Sequence, residues 1–213
     1  MLPLALDLPW FGGVSQRAKA IVLGAVALVC GTANVTQAGI NVWTSHGPYG
    51  ANVFALAINP STPSTLYAGT YDGGVFQSTN SGGSWSAVKT GLPIVLALVI
   101  DPSTPSTVYA GTDGGGVFQS TNSGGSWSPV NTGLSNLYVY ALAINPSTPS
   151  TLCAGTYGGG VFQSTNSGGS WSAVNTGLSN LYVYALAINP STPSTLYAGT
   201  SGGVFQSMNS GGS

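Results

Sequence analysis

The apolar positions of the chain come in short runs cut off by turn formers. In the stretch opening at Val139 the runs are VYALAI (Val139 to Ile144), TLCAGT (Thr151 to Thr156), GVFQST (Gly160 to Thr165) and SWSAVN (Ser170 to Asn175). Each is rich in Val, Ile, Tyr, Phe, Trp and Thr, and Asn-Pro, Thr-Pro, Gly-Gly or Ser-Gly fills the gaps between them. Runs of this length and composition, punctuated in this way, predict four short β-strands. A helix needs an uninterrupted periodic window of ten or more residues, and none exists after residue 40.

The four-run pattern is itself repeated. Residues 117 to 153 and 161 to 197 differ only at Pro129 against Ala173 and at Cys153 against Tyr197, a period of 44 residues. Trp43, Trp85 and Trp127 lie 42 residues apart, because TGLPIVLALVIDP lacks two residues found in TGLSNLYVYALAINP. One connection therefore varies in length while the rest of the unit holds. Four strands in 42 to 44 residues is the size of a β-propeller blade, whereas the coils of a β-solenoid are generally shorter. The fold expected is all-β, a β-propeller of four-stranded blades over residues 39–213, with four repeats.

Between the third and fourth runs stands an octapeptide, STNSGGSW, at Ser78 to Trp85, Ser120 to Trp127 and Ser164 to Trp171; SMNSGGS begins a fourth copy at Ser207. Its Asn suits an Asx turn, its two glycines accept positive φ, and its Trp can bury a large ring on the outer hairpin. The motif resembles the Asp-box of the bacterial neuraminidase repeat, Ser-x-Asp-x-Gly-x-Thr-Trp, found in sialidases, sortilin-type receptors, xyloglucanases and photosystem II assembly factors. The resemblance covers residues 43 to 213. It departs in having Asn80, Asn122, Asn166 and Asn209 for the aspartate and Ser for the threonine. In that family the box is a peripheral element of the fold, away from the catalytic face.

The segment holding Trp43 aligns with a fourth strand leading into the next blade, so it can complete the last repeat and give four full blades. Three arrangements fit this complementarity of start and end. They are a closed four-bladed ring, an eight-bladed ring of two chains, and a fragment of a longer array.

Charge narrows the chemistry sharply. Only 3% of the residues are Asp, Glu, Lys or Arg, against roughly 25% in ordinary soluble domains. The ionisable set is Asp7, Asp72, Asp101, Asp113, Arg17, Lys19, Lys89 and His46, with no Glu. A net charge of −1 supplies no phosphate-neutralising patch, which argues against nucleic-acid binding. Arg17 and Lys19 precede the apolar run Ala20 to Gly31, and small residues follow to Ala38. This pattern predicts a signal peptide over 1–38 and export to the periplasm or outside the cell. About a dozen apolar residues are short for a bilayer span, and the competing reading is an uncleaved anchor. Cys153 replaces the Tyr of the other repeats, and with one cysteine left after cleavage no intrachain disulfide forms.

The resemblance implies sialidase or xyloglucanase chemistry, and the residues test both. Sialidases hold the substrate carboxylate with three arginines and use Tyr with Glu plus an Asp; one Arg and no Glu exclude this. Xyloglucanase-type hydrolysis needs two opposed carboxylates, for which Asp72 and Asp113 are the candidates. Asp101 precedes a proline where other repeats carry Asn and reads as a turn residue. No metal or cofactor site is expected, and no catalytic residue is assigned.

Propeller geometry places the loops between strands two and three, and those between blades, on one face. These carry Tyr71, Asp72, Asp113 and Tyr157, and His46, Tyr49, Asn136, Tyr138, Asn180 and Tyr182. Tyr and Asn suit neutral sugars or peptide surfaces. In LYVYALAI, alternation buries one of Tyr138 and Tyr140. The leading expectation is a secreted, non-enzymatic propeller that binds or scaffolds a protein or carbohydrate partner; the alternative is a glycoside hydrolase or a degenerate one.

Overall fold

The computed structural model describes residues 43–89 and 91–211. The expected signal peptide, its apolar run and the cut near Ala38 lie outside them. The chain divides into a unit ending at Thr44 and a second spanning Ser45–Ser213. Among the described residues every strand belongs to the second unit.

That unit is an all-β array of four antiparallel sheets, each a meander of consecutive strands. The first sheet runs β1 (Val53–Ile58), β2 (Leu66–Thr70), β3 (Val75–Ser78) and β4 (Ser86–Lys89). The second runs β5 (Val95–Ile100), β6 (Val108–Thr112), β7 (Gly116–Ser120) and β8 (Ser128–Pro129). The third holds β9 (Val139–Ile144), β10 (Leu152–Thr156), β11 (Gly160–Ser164) and β12 (Ser172–Ala173). The fourth has three strands, β13 (Val183–Ile188), β14 (Leu196–Thr200) and β15 (Gly203–Ser207). These are β-propeller blades, and their first strands, β1, β5, β9 and β13, meet along the inner side of the array. Apolar clusters fill the joints between successive sheets.

The fourth strand is shorter than its sequence predicts. In the second and third sheets it holds two residues. Beyond it an asparagine side chain takes over the ladder: Asn131 Oδ1 accepts from Val117 N at 2.7 Å and Asn175 Oδ1 from Val161 N at 2.7 Å. Where Lys89 replaces that Asn, backbone pairing continues through a bulge and the strand reaches four residues.

The octapeptide turns are built by side chains. In the second sheet Asn122 Oδ1 accepts from Ser126 N at 2.8 Å and from Ser120 Oγ at 3.0 Å, while Asn122 Nδ2 donates to Ser126 Oγ. Ser120 Oγ in turn accepts from Gly124 N. The two glycines do not share the left-handed conformation that their sequence suggests. Positive φ falls on Ser123 (57°) and Gly124 (92°), not on both glycines; the Asx and serine bonds hold Ser123 in a region that L-residues otherwise rarely visit. The second glycine is needed for space, since a methyl group on Gly125 would lie 3.2 Å from the Asn122 amide.

The tryptophans do not share one environment. Trp171 is buried against the second sheet, its N–H donating to Thr132 O and its Nε1 to Val130 O at 2.8 and 2.7 Å. Trp127 is half-buried and bonds Gly124 O within its own turn. Trp43, expected to complete the last blade, is fully exposed. Among the described residues the last sheet has three strands, and none is paired with β15 on its outer side.

Candidate tyrosine face

Every first strand carries a bulge near its start, between Val53 and Ala55, Val95 and Ala97, Val139 and Ala141, and Val183 and Ala185. A bulge re-aims the extra side chain and breaks simple alternation. The bulged residues are Phe54, Leu96, Tyr140 and Tyr184. Two of their rings fall beside the residue that follows the second strand of the same sheet: Phe54 pairs with Tyr71 at 6.0 Å between ring centroids, and Tyr140 stacks on Tyr157 at 5.4 Å.

Four tyrosines therefore converge where the third and fourth sheets adjoin. Tyr157 is the centre, with Tyr182 edge-on at 4.9 Å, Tyr184 at 6.2 Å and Tyr140 stacked. Tyr140 and Tyr184 meet at 6.1 Å. Tyr157, Tyr182 and Tyr184 keep close to half of their surface in solvent. Backbone ties fix the cluster: Tyr157 N donates to Tyr138 O, Gly158 N and Gly160 N donate to Leu181 O, and Tyr157 bridges Tyr182. Burial is the main cause that holds the Tyr140 hydroxyl above its ordinary value, with the charge of Asp113 next.

The asparagines proposed from sequence brace this face. Asn136 Oδ1 accepts from Tyr138 N at 3.0 Å and its Nδ2 donates to Tyr157 O at 3.1 Å. Asn180 Oδ1 accepts from Tyr182 N and from Ser201 Oγ, both at 3.0 Å. Tyr138 is exposed and lies over Gly114, where an added methyl group would touch its ring at 3.6 Å. Tyr71 belongs to the separate pair with Phe54. Tyr49 is exposed and its hydroxyl donates to Ser45 O.

The two candidate carboxylates are not equivalent. Asp72 is exposed in the turn two residues past Thr70, whereas Asp113 directly follows Thr112 and is half-buried. Asp113 is the counterpart of Tyr71 and Tyr157. Asp101 accepts from Ser103 N, Ser103 Oγ and Thr104 N, as a turn residue does. Among the described residues no three His, Cys, Asp or Glu side chains converge. Cys153 is buried, and desolvation lifts its thiol to about 11.

Sequence reasoning missed Tyr140 and Tyr184. Alternation made one of each Tyr-x-Tyr pair a core residue, but the bulge turns both outward enough to join the cluster. The 17-residue spacing from Phe54 to Tyr71 and from Tyr140 to Tyr157 is the signal that could have found Tyr140; Tyr184, seventeen residues before Ser201, has only its equivalence to Tyr140 in the repeat.

The chain is similar in structure to an ancestral GH74 enzyme, with 27% identity and a TM-score of 0.66, covering 80% of this chain and 24% of that one. It is similar to the GH74 enzyme of Niastella koreensis at 22% identity and a TM-score of 0.63, covering 76% and 29% of the two chains. The computationally designed Ika4 protein shares the fold at 18% identity and a TM-score of 0.56, covering 76% of this chain and 94% of that one. This chain thus spans about a quarter of the GH74 enzymes' length. No protein-family model matches the sequence. No curated protein matches it either.

Proposed function

We propose that this protein is an exported β-propeller array of the neuraminidase-repeat type that binds a neutral polysaccharide through its tyrosine face. The observation that carries the reading is the Tyr140–Tyr157–Tyr182–Tyr184 cluster, with three rings half in solvent. Exposed aromatic clusters on a rigid sheet offer flat apolar faces with polar tips, which suit the C–H faces and hydroxyls of sugar rings. A surface with almost no charge favours a neutral ligand over an anionic one. The similarity to GH74 enzymes, glycoside hydrolases by class, supports a glycan over a protein partner.

The same similarity favours a second reading, in which the chain hydrolyses the glycan it holds. Asp113, whose charge acts on Tyr140, and Asp72 are the carboxylates available for it.

Affinity electrophoresis in gels containing a neutral β-glucan tests binding. The wild-type protein is retarded, and Tyr157→Ala and Tyr182→Ala each abolish the retardation while circular dichroism stays unchanged. Equal mobility with and without glucan in the gel rejects the glycan reading. Release of reducing ends that disappears in Asp113→Asn establishes the hydrolase.

A further inference from the structure

The tyrosine face has the same frame at two successive joints between sheets. Where the third sheet meets the fourth, Tyr182 lies over Gly158; a methyl group added there would stand 3.6 Å from Cε1 and 4.0 Å from Cζ of the ring. Where the second meets the third, Tyr138 lies over Gly114 at the same two distances. Beneath both joints a valine inserts over a glycine, Val183 on Gly155 and Val139 on Gly111, with an added methyl group 2.6 and 2.7 Å from it. The backbone repeats as well. Tyr157 N donates to Tyr138 O at 2.9 Å, and one blade earlier Asp113 N donates to Ile94 O at 2.9 Å.

What differs is the side chain that this frame presents. At the later joint it is the Tyr157 ring, 4.9 Å from Tyr182 and 6.2 Å from Tyr184. At the earlier joint it is Asp113, and Tyr138 and Tyr140 are the counterparts of those two rings. A carboxylate thus stands at the backbone position of an aromatic ring, and its charge acts on the Tyr140 hydroxyl.

Asp113 is half-buried, and among the described residues no hydrogen bond or ion pair engages its carboxylate. A partly desolvated carboxylate without a partner favours a cation, and the electron-rich faces of tyrosine rings favour the same sign of charge. A hard metal ion asks for several oxygen ligands, whereas among the described residues no three His, Cys, Asp or Glu side chains converge. An organic ammonium group is satisfied by one carboxylate and ring faces, which is the set this joint supplies.

We infer that the joint between the second and third sheets is a subsite for the protonated amine of an amino sugar, with Asp113 as counter-ion and the rings of Tyr138 and Tyr140 against the sugar. It rests on the reading that the rings of this face accept sugars. It adds a preference for charge that the joint at Tyr157, built from rings alone, does not have. Uncharged units of a glycan then lie at Tyr157 and an amine-bearing unit at Asp113.

Titration calorimetry with three β-1,4-linked hexamers, of glucosamine, N-acetylglucosamine and glucose, tests the subsite. The buffer is weakly acidic, so that sugar amines are protonated and aspartates ionised. An exposed ion pair together with a cation–π contact gives the glucosamine hexamer about tenfold higher affinity than the other two. Asp113→Asn, which keeps the size of the side chain, removes this preference, and added salt weakens it in the wild-type protein. The amide resonance of Gly114, beneath the Tyr138 ring, is the local readout: the glucosamine hexamer shifts it in the wild-type protein and less in Asp113→Asn. Equal wild-type affinities for all three hexamers overturn the subsite and leave the glycan reading standing. A preference for glucosamine that survives Asp113→Asn overturns it too, and failure of all three hexamers to bind overturns both.

Discussion

Tyr109 sits in the middle of the array and offers a measured separation of ring from hydroxyl. It is fully buried; its hydroxyl donates to Ser167 O at 3.2 Å and accepts from Gln119 Nε2 at 2.9 Å. Gln119 Nε2 already stands 3.5 Å from Ser167 O. One blade on, where Cys153 replaces the tyrosine, the equivalent Gln163 Nε2 reaches Ser210 O directly at 2.9 Å. The repeat therefore contains its own relaxed form of the hydroxyl deletion. In Tyr109→Phe the Gln119 amide closes onto Ser167 O, so no buried donor or acceptor is left without a partner. The loss is then one net hydrogen bond, about 1 kcal/mol. Tyr109→Ala removes the whole ring from a filled joint and costs roughly 3–5 kcal/mol. With a urea m-value of about 2 kcal/mol/M, the midpoints fall by about 0.5 M and about 2 M respectively, read by tryptophan fluorescence. A loss of 3 kcal/mol or more in Tyr109→Phe would refute the rescue by glutamine. Near-identical midpoints for Tyr109→Ala and wild type would refute the packing of the joint.

Three further outcomes rest on the same geometry. Asn122→Ala deprives Ser126 N and Ser120 Oγ of their acceptor and lowers stability by about 1 kcal/mol, whereas in Asn122→Asp both serine hydroxyls donate to the carboxylate and the change stays within about 0.5 kcal/mol by urea titration. Asn131→Ala strands the N–H of buried Val117 and costs roughly 1–3 kcal/mol, with faster hydrogen exchange at Val117 as the local readout. Burial raises the Cys153 thiol from 9.0 to about 11, so between those values the unfolded chain gives up a proton that the folded chain keeps. Stability is accordingly unaffected below pH 9, falls as pH rises towards 11, and levels off above it, by roughly 3 kcal/mol in all. Cys153→Ala removes that part of the alkaline slope and leaves the part due to tyrosine burial.

The repeat, the strand order and the turn chemistry were legible in the sequence because each is set within one 42–44-residue unit. Local rules of turn formation and strand composition act at that range, and near-identical units must adopt near-identical sheets. The core position of Cys153 and the turn role of Asp101 were legible for the same reason, each being a departure from its counterparts in the other repeats. The different settings of Asp72 and Asp113 were not, since a one-residue offset inside otherwise similar loops leaves the first exposed and the second half-buried.

What tertiary structure alone decided are the features in which one unit meets another or alternation fails. The bulge that brings Tyr140 and Tyr184 to the face depends on pairing with a second strand, so residue order does not reveal it. Four glycines in the second strands look alike as sequence, yet three lie under a valine of the next sheet and Gly199 does not. Identical residues acquire different surroundings solely through their place in the array. Sequence therefore determined the blade, and only the packing of blade on blade decided which surfaces are core, which form the tyrosine face, and which remain unmatched at its ends.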